Sequence, residues 1–136
     1  MDNIRYDYLH YHPDYKVAQH KDMYHFNTDT CLLGEFIKIN PNETVLDVGT
    51  NNGALLVYIC KKGGIATGIE INADALKVCE LTLKANDINA TLINKDGSTS
   101  LSVRSAGSAT LIVSNLLKKK GVETKYKSYS QKSKKR

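Results

Sequence analysis

The sequence has no long apolar run and no paired cysteines. Its longest uninterrupted apolar run covers residues 54–60, far short of the ~20 residues that a membrane helix needs. The first residues carry Asp2, Arg5 and Asp7 with no apolar stretch behind them, so we expect no secretory signal. Three cysteines make an odd number and form no C-x-x-C pair, which argues against a disulfide framework or a zinc knuckle. A cytoplasmic, reducing location fits best.

Charge is unevenly distributed along the 136 residues, which suffice for one domain. The net charge is +5, yet residues 118–136 hold nine Lys or Arg and one acid, Glu123. Such a run is typical of a solvated, disordered end that either contacts nucleic acid or has no function. We therefore expect three parts: an aromatic-rich segment (1–26), a folded domain (27–117) and a basic, disordered tail (118–136).

Strand and helix patterns alternate through the central part of the chain. Helical patterns begin after the capping residues 27–29, at Ala54 and at Ala73. Between them, β-rich runs predict four strands, at 44–48, 65–71, 90–94 and 109–114. Residues 1–24 show no clear period, so we expect irregular structure with a short strand near 15–19. The alternation predicts an α/β fold with a doubly wound parallel sheet of about four strands.

The most informative motif follows the first of these strands. Asp47, Gly49 and Gly53 form a D-x-G-x-x-x-G turn that opens a helix, where backbone amides approach a ligand closely. The dinucleotide pattern G-x-G-x-x-G is not met, and Asp47 would repel a pyrophosphate. The ammonium and sulfonium of S-adenosylmethionine would instead be attracted to this acid, which disfavours a dehydrogenase.

Two further acids follow the next two strands. Glu70 lies about twenty residues beyond the turn, where a carboxylate can accept both ribose hydroxyls. Asp96 follows the third strand, where it can accept from an adenine amino group; an ordinary turn explains it equally well. His10 and His12 lack a third ligand, so we expect no metal site.

Taken together, these motifs resemble the class I S-adenosylmethionine-dependent methyltransferases, with their Rossmann-like sheet. More closely, the chain is similar to the bacterial tRNA1(Val) (adenine(37)-N6)-methyltransferases. The matching strings, in order, are residues 20–33, 47–55, 68–72, 85–86 and 111–115. The resemblance implies a sheet order of 3-2-1-4 and an anticodon-loop adenine of tRNA as the substrate.

The resemblance also assigns residues. It implies that Asp47, Gly49 and Gly53 line the cofactor, that Glu70 holds its ribose and that Asp96 meets its adenine. Near the methionine end it places Thr28 and Asp29, and as the catalytic acceptor of the substrate amino group it places Asn115.

Two departures from the family pattern are important. The family turn reads Gly-Thr-Gly-Asn-Gly, and Asn51 replaces its middle glycine; asparagine tolerates left-handed backbone, so we expect weakened binding. After Asn115 the family carries Pro-Pro-Tyr, where this chain has residues 116–118, Leu-Leu-Lys. We therefore expect a C-terminally truncated product with negligible tRNA methylation.

Two other classes stay open: a catalytically inactive methyltransferase-like binding domain, and an RNA- or DNA-binding protein that acts through its tail. An incomplete sheet would also leave residues 111–113 on an exposed edge strand, which predicts self-association.

Overall fold

The computed structural model describes residues 1–23 and 25–95, together with the backbones of two further strands, 111–114 and 125–128. The described residues form a two-stranded hairpin and a five-stranded sheet with helices. The predicted α/β fold is confirmed, and none of the described helices has the length and apolarity needed to cross a membrane.

Three helices are described; the second and third begin at the predicted residues, and the first begins within the predicted capping segment. Helix α1 runs over Thr28–Phe36 behind the N-cap Asn27. Helix α2 covers Ala54–Lys61. Helix α3 covers Ala73–Ala85, and the side chain of its N-cap accepts from the amides of the second and third helical residues.

The five-stranded sheet has the order β5-β4-β3-β6-β7. The first four strands are parallel, as predicted, and β7 runs antiparallel to β6. Their bounds are β3 Thr44–Val48, β4 Ile65–Ile69, β5 Thr91–Ile93, β6 Leu111–Ser114 and β7 Lys125–Ser128.

Strand β7 corrects two predictions. It pairs with β6 along its whole length, so residues 111–113 do not form an exposed edge and the predicted self-association loses its basis. It also lies inside the segment predicted to be a disordered tail, which is wrong for these four residues. A lysine-rich sequence gave no local sign of a strand whose pairing depends on a distant partner.

The N-terminal segment is a hairpin rather than largely irregular structure, and the short strand predicted near residues 15–19 is confirmed as part of its second strand. Strand β1 (Ile4–Leu9) pairs antiparallel with β2 (His12–His20). In β2 the consecutive residues 17–19 are all buried, which hides the alternation typical of a strand. The turn uses left-handed Tyr11 (φ 64°) in place of the glycine that usually marks a hairpin.

The hairpin is attached to α3 by side-chain hydrogen bonds to the β2 backbone. Asn86 accepts from the amide of Lys16 at 2.9 Å and donates to its carbonyl at 2.7 Å. The hydroxyl of Thr82 accepts from the amide of Ala18 at 3.0 Å. Helix α3 thus covers the edge of β2 with which a third strand would otherwise pair.

Helix α2 lies at the centre of the core, with residues 54–59 all buried. A Cβ added to Gly34 of α1 would lie 2.2 Å from the ring of Tyr58, so only glycine allows this packing. The ammonium of Lys62 donates to the carbonyls of Gly34 and Ile37, at 2.6 and 2.7 Å, and satisfies carbonyls at the end of α1. These contacts fix α1 against α2, beside the end of β3.

Candidate functional site

A cleft of about 250 Å³ opens at the carboxyl end of β3. In an open parallel sheet, this end of the strands is where ligands bind. The cleft is formed by the turn after β3 and by the first turns of α1 and α2; its lining residues are Thr30, Asp47, Gly49, Thr50, Asn51, Asn52, Ala54 and Leu55.

The turn after β3 has three residues with positive φ: Gly49 at 75°, Asn51 at 51° and Gly53 at 83°. The left-handed backbone expected at Asn51 is therefore present. Gly53 has a second requirement, because an added Cβ would lie 2.8 Å from the sulfur of Cys79. Its small size serves the packing of α2 on α3, and Gly53 is not among the residues that line the cleft.

Asp47 is buried at the base of the cleft, with only 1% of its surface exposed. The hydroxyl of Thr50 donates to its Oδ2 at 2.6 Å. Its Oδ1 is also buried and has no hydrogen-bond partner among the described residues. Burial raises the pKa of Asp47 to about 7; the Thr50 hydroxyl opposes this rise and the nearby Glu70 carboxylate adds to it.

Gly68 sets the position of Thr50. It lies opposite Asp47 in the parallel β3–β4 pairing. A Cβ added to Gly68 would come within 2.9 Å of the Thr50 hydroxyl and methyl groups, so only a glycine at this position of β4 leaves room for the Thr50 side chain. This role has no sequence signal, because nothing local connects a strand glycine to a threonine eighteen residues earlier.

Glu70 follows β4 and joins two loops. Its Oε1 accepts from the amide of Asn51 at 2.8 Å, and its Oε2 accepts from the amide of Asn72 at 3.1 Å. The residue is 8% exposed. Each carboxylate oxygen has a second lone pair, so both oxygens can still accept from a ligand hydroxyl.

The predicted residues of α1 lie differently. Thr28 and Asp29 are exposed in the first helical turn and do not line the cleft. Thr30, the next residue of the helix, does line the cleft. Asn27 accepts from the Thr30 amide at 3.2 Å and so fixes this turn.

Two buried amide side chains beside the cleft escaped sequence analysis. Asn52 is 2% exposed and its Oδ1 accepts from the Ala54 amide at 3.3 Å. Its Nδ2 lies 3.5 Å from Oε1 of Gln19, which also accepts from the Phe26 amide at 2.8 Å. Gln19 therefore connects the hairpin to the cleft; a polar residue within a strand carries no sequence signal for such a role.

Two predicted site residues, Asp96 and Asn115, lie outside the described residues. Within the described part of the chain, no three His, Cys, Asp or Glu side chains are grouped to hold a metal ion.

A parallel sheet of this order, with an acid-and-glycine turn after β3 and an acid after β4, defines a Rossmann-like S-adenosylmethionine-dependent methyltransferase domain. Residues 16–129 match the family described as the methyltransferase small domain. The chain belongs to this family, and its cofactor is S-adenosylmethionine.

Known proteins resemble this chain in fold or in sequence. A SAM-dependent methyltransferase from Agrobacterium tumefaciens superposes with a TM-score of 0.66 at 12% identity, over 84% of this chain and 40% of the other. A protein from Methanocaldococcus jannaschii, named as a putative protein N5-glutamine methyltransferase, is 28% identical over 60% of the chain. The 23S rRNA (uracil(747)-C(5))-methyltransferase of Pyrococcus horikoshii is 34% identical over 46% of it. The chain spans only 42% and 15% of the lengths of these two relatives.

The described residues fit the cofactor. Asp47 offers a buried acceptor, Oδ1, without a partner in the described structure, and S-adenosylmethionine carries a cationic methionine end. Glu70 offers further acceptor capacity at the next strand end. The sequence resemblance, the fold and this donor and acceptor pattern therefore agree.

Proposed function

We propose that this chain is the cofactor-binding part of a tRNA (adenine-N6)-methyltransferase, with weak cofactor binding and slow methyl transfer. The observation that carries the proposal is the pair of buried carboxylates, Asp47 and Glu70, at the ends of adjacent strands. The family supports the cofactor, and the ordered motifs that resemble the tRNA enzymes support the substrate.

The two acids have different roles in this proposal. Oδ1 of Asp47 accepts from the ammonium at the methionine end, in the cleft lined by Gly49 and Thr30. Glu70 accepts from the ribose hydroxyls while its two existing hydrogen bonds, from the amides of Asn51 and Asn72, fix its carboxylate. The bound cofactor supplies the methyl group.

The substrate amino group needs acceptors. The lone pair of an adenine amino nitrogen is delocalised into the ring, so the nitrogen becomes nucleophilic only as acceptors draw its protons out of the base plane. Asn115 is the candidate acceptor by resemblance. Without the Pro-Pro-Tyr that follows it in the family, the base lacks a stacking platform worth ~1–3 kcal/mol, and poor positioning can cost about a hundredfold in rate.

A cofactor titration separates the two acids. S-adenosylhomocysteine carries both the ammonium and the ribose, whereas methylthioadenosine carries the ribose without the ammonium. Asp47→Asn should weaken only S-adenosylhomocysteine, and Glu70→Gln should weaken both by ~1.5–3 kcal/mol, the range for hydrogen bonds to a charged group. Glu80→Gln, an exposed acid on α3, is the matched control. Equal affinities for all four proteins would disprove the site assignment.

The substrate is tested under single-turnover conditions, which reveal slow transfer. The chain, in excess, is incubated with methyl-labelled cofactor and tRNA, and the nucleosides are then separated. We expect at most trace label, on adenine N6, and we expect that trace to be lost in Asn115→Ala.

The side-chain amide of glutamine is a second candidate for the group that receives the methyl, because the Methanocaldococcus jannaschii relative is named as a putative protein N5-glutamine methyltransferase. Like the adenine amino group, it is a planar conjugated NH₂. A glutamine-containing peptide is therefore assayed in parallel. Label on the peptide, or on C5 of uracil, would overturn the adenine assignment.

A further inference from the structure

Gln19 is a buried glutamine whose side chain joins the hairpin to two other parts of the fold. The residue is 3% exposed. Its Oε1 accepts from the amide of Phe26 at 2.8 Å and from Nδ2 of Asn52 at the longer distance of 3.5 Å. Its Nε2 donates to Oδ2 of Asp7. A backbone amide can only donate, so Phe26 fixes which end of the Gln19 side chain is the oxygen.

The two groups that donate to Gln19 lie at the starts of the two helices that form the cleft. Phe26 directly precedes the N-cap of α1, whose side chain accepts from the Thr30 amide. Asn52 precedes α2 by two residues, and its Oδ1 accepts from the amide of Ala54, the first residue of that helix. Thr30, Asn52 and Ala54 all line the cleft. A single oxygen of Gln19 is therefore bonded to the leading ends of two cleft walls.

The donor end of Gln19 is held by the first strand of the hairpin. Arg5 lies opposite Gln19 in the antiparallel register, and Asp7 is two residues further along β1. These three side chains therefore share one face of the hairpin. The Asp7 oxygen that accepts from Gln19 also accepts from Nε of Arg5, at 2.9 Å. Asp7 thus fixes the Gln19 amide from the hairpin side.

The cleft walls concern one end of the cofactor more than the other. Asp47 lines the cleft, whereas Glu70 is not among its lining residues. In the proposed site Asp47 meets the ammonium at the methionine end and Glu70 meets the ribose. A change in the spacing of the α1 and α2 walls would therefore disturb the methionine end and leave the ribose contact in place.

We infer that Gln19 is a positioning residue for the methionine end of the cofactor. It holds the first turns of α1 and α2 at the spacing that this end requires, and it acts by way of Phe26 and Asn52. The inference deepens the proposed function and rests on it, because it uses the assignment of Asp47 to the ammonium. It gives the N-terminal hairpin a part in cofactor recognition.

The test measures the affinity of the full chain for S-adenosylhomocysteine and for methylthioadenosine, which lacks the ammonium. Gln19→Met keeps the length of the side chain and removes its hydrogen bonds. It should weaken S-adenosylhomocysteine by about three- to tenfold, equivalent to one net hydrogen-bond contribution, and leave methylthioadenosine unchanged. A merely structural role would weaken both ligands together.

The matched control loosens the hairpin at the neighbouring residue. Thr82→Val keeps the shape of the side chain and removes the hydroxyl that accepts from the amide of Ala18. Thr82 is not among the residues that line the cleft. This variant should lower the free energy of unfolding and leave the ratio of the two affinities as it is in the wild type.

An exchanged pair tests the hydrogen bonds themselves. Gln19→Glu alone should weaken S-adenosylhomocysteine, because its carboxylate faces that of Asp7. In Asp7→Asn/Gln19→Glu the donor moves to residue 7, while residue 19 still accepts from Phe26 and Asn52. The pair should recover most of the lost affinity. This comparison remains decisive if Gln19→Met does not fold.

The possible failures point to different conclusions. Equal weakening of both ligands by Gln19→Met, or an exchanged pair no better than Gln19→Glu, would leave Gln19 with a structural role only. If Asp47→Asn weakens S-adenosylhomocysteine selectively and Gln19→Met does not, the positioning role is wrong and the proposed site stands. If Asp47→Asn binds that ligand as tightly as the wild type, the proposed site is wrong, and the inference fails with it.

Discussion

The hydroxyl of Thr50 donates a 2.6 Å hydrogen bond to Oδ2 of Asp47, and the opposite oxygen of the same carboxyl group has no partner in the described structure. One oxygen is thus fixed from within the fold, and the other is buried without a donor among the described residues. Burial without a second donor is what raises the pKa of Asp47 to about 7. Two consequences can be measured.

The first is that folding stability should fall as pH rises from about 4 to 7. The unfolded chain releases the Asp47 proton near its ordinary pKa of 3.8, whereas the folded chain retains it until about 7. The unfolded state therefore binds fewer protons in this window, and the slope approaches ~1.4 kcal/mol per pH unit at most. Urea unfolding of the wild type and Asp47→Asn, compared across this range, should show the difference shrinking toward low pH. Parallel pH profiles for the two proteins would contradict it.

The second is that S-adenosylhomocysteine should bind more tightly as pH rises toward 7. In the proposed site the ligand ammonium pairs with ionised Asp47, which the free protein holds protonated at lower pH, so binding should release a proton. The affinity should rise by up to about tenfold per pH unit below 7 and then level off. Calorimetry in two buffers of different ionisation heat counts the released proton. Methylthioadenosine, without the ammonium, should show neither effect.

The third prediction concerns Asn51, whose φ is 51°. Asn51→Ala should destabilise the fold by ~1–2 kcal/mol, because a Cβ without a polar group disfavours left-handed backbone. Asn51→Gly should be neutral or stabilising and should tighten cofactor binding. Asn89 is the control, because it is exposed and is not among the positive-φ residues. At this position the glycine variant should be less stable than the alanine variant, the reverse of the order at Asn51. If glycine were the more stable variant at both positions, backbone strain at Asn51 would be ruled out as the cause.

The fourth prediction concerns Lys62. Its ammonium donates to carbonyls at the end of α1, and burial lowers its pKa. Lys62→Met should cost ~1.5–3 kcal/mol of unfolding free energy, since charged hydrogen bonds are lost from carbonyls that have few other donors. Lys38→Met removes an exposed lysine near the same helix end and should cost little. Equal unfolding midpoints for the two variants would show that these bonds contribute nothing.

Local signals predicted much of the site. The caps at Asn27 and Asn72, the turn after β3 and the acid after β4 each depend on residues close in sequence, and all four lie where the pattern placed them.

The signals that failed depend on distant partners. Only the core of β2 was predicted, because α3, more than sixty residues later, covers the free edge of this strand. The positions of Thr30, Gln19 and Gly68 follow from packing between elements, which no short window of sequence contains.

The attachment of the hairpin to α3 has a consequence for how the chain matures. The hydrogen bonds of Lys16 and Ala18 with α3 span 70 and 64 residues, so they cannot form on the ribosome until the third helix has been synthesised. Contacts this far apart in sequence slow folding, because a long loop must close before they contribute. The hairpin, although synthesised before α3, is therefore among the last parts of this fold to form. If synthesis stopped before Thr82, the product would hold a β2 strand whose outer edge is open to pairing with other molecules.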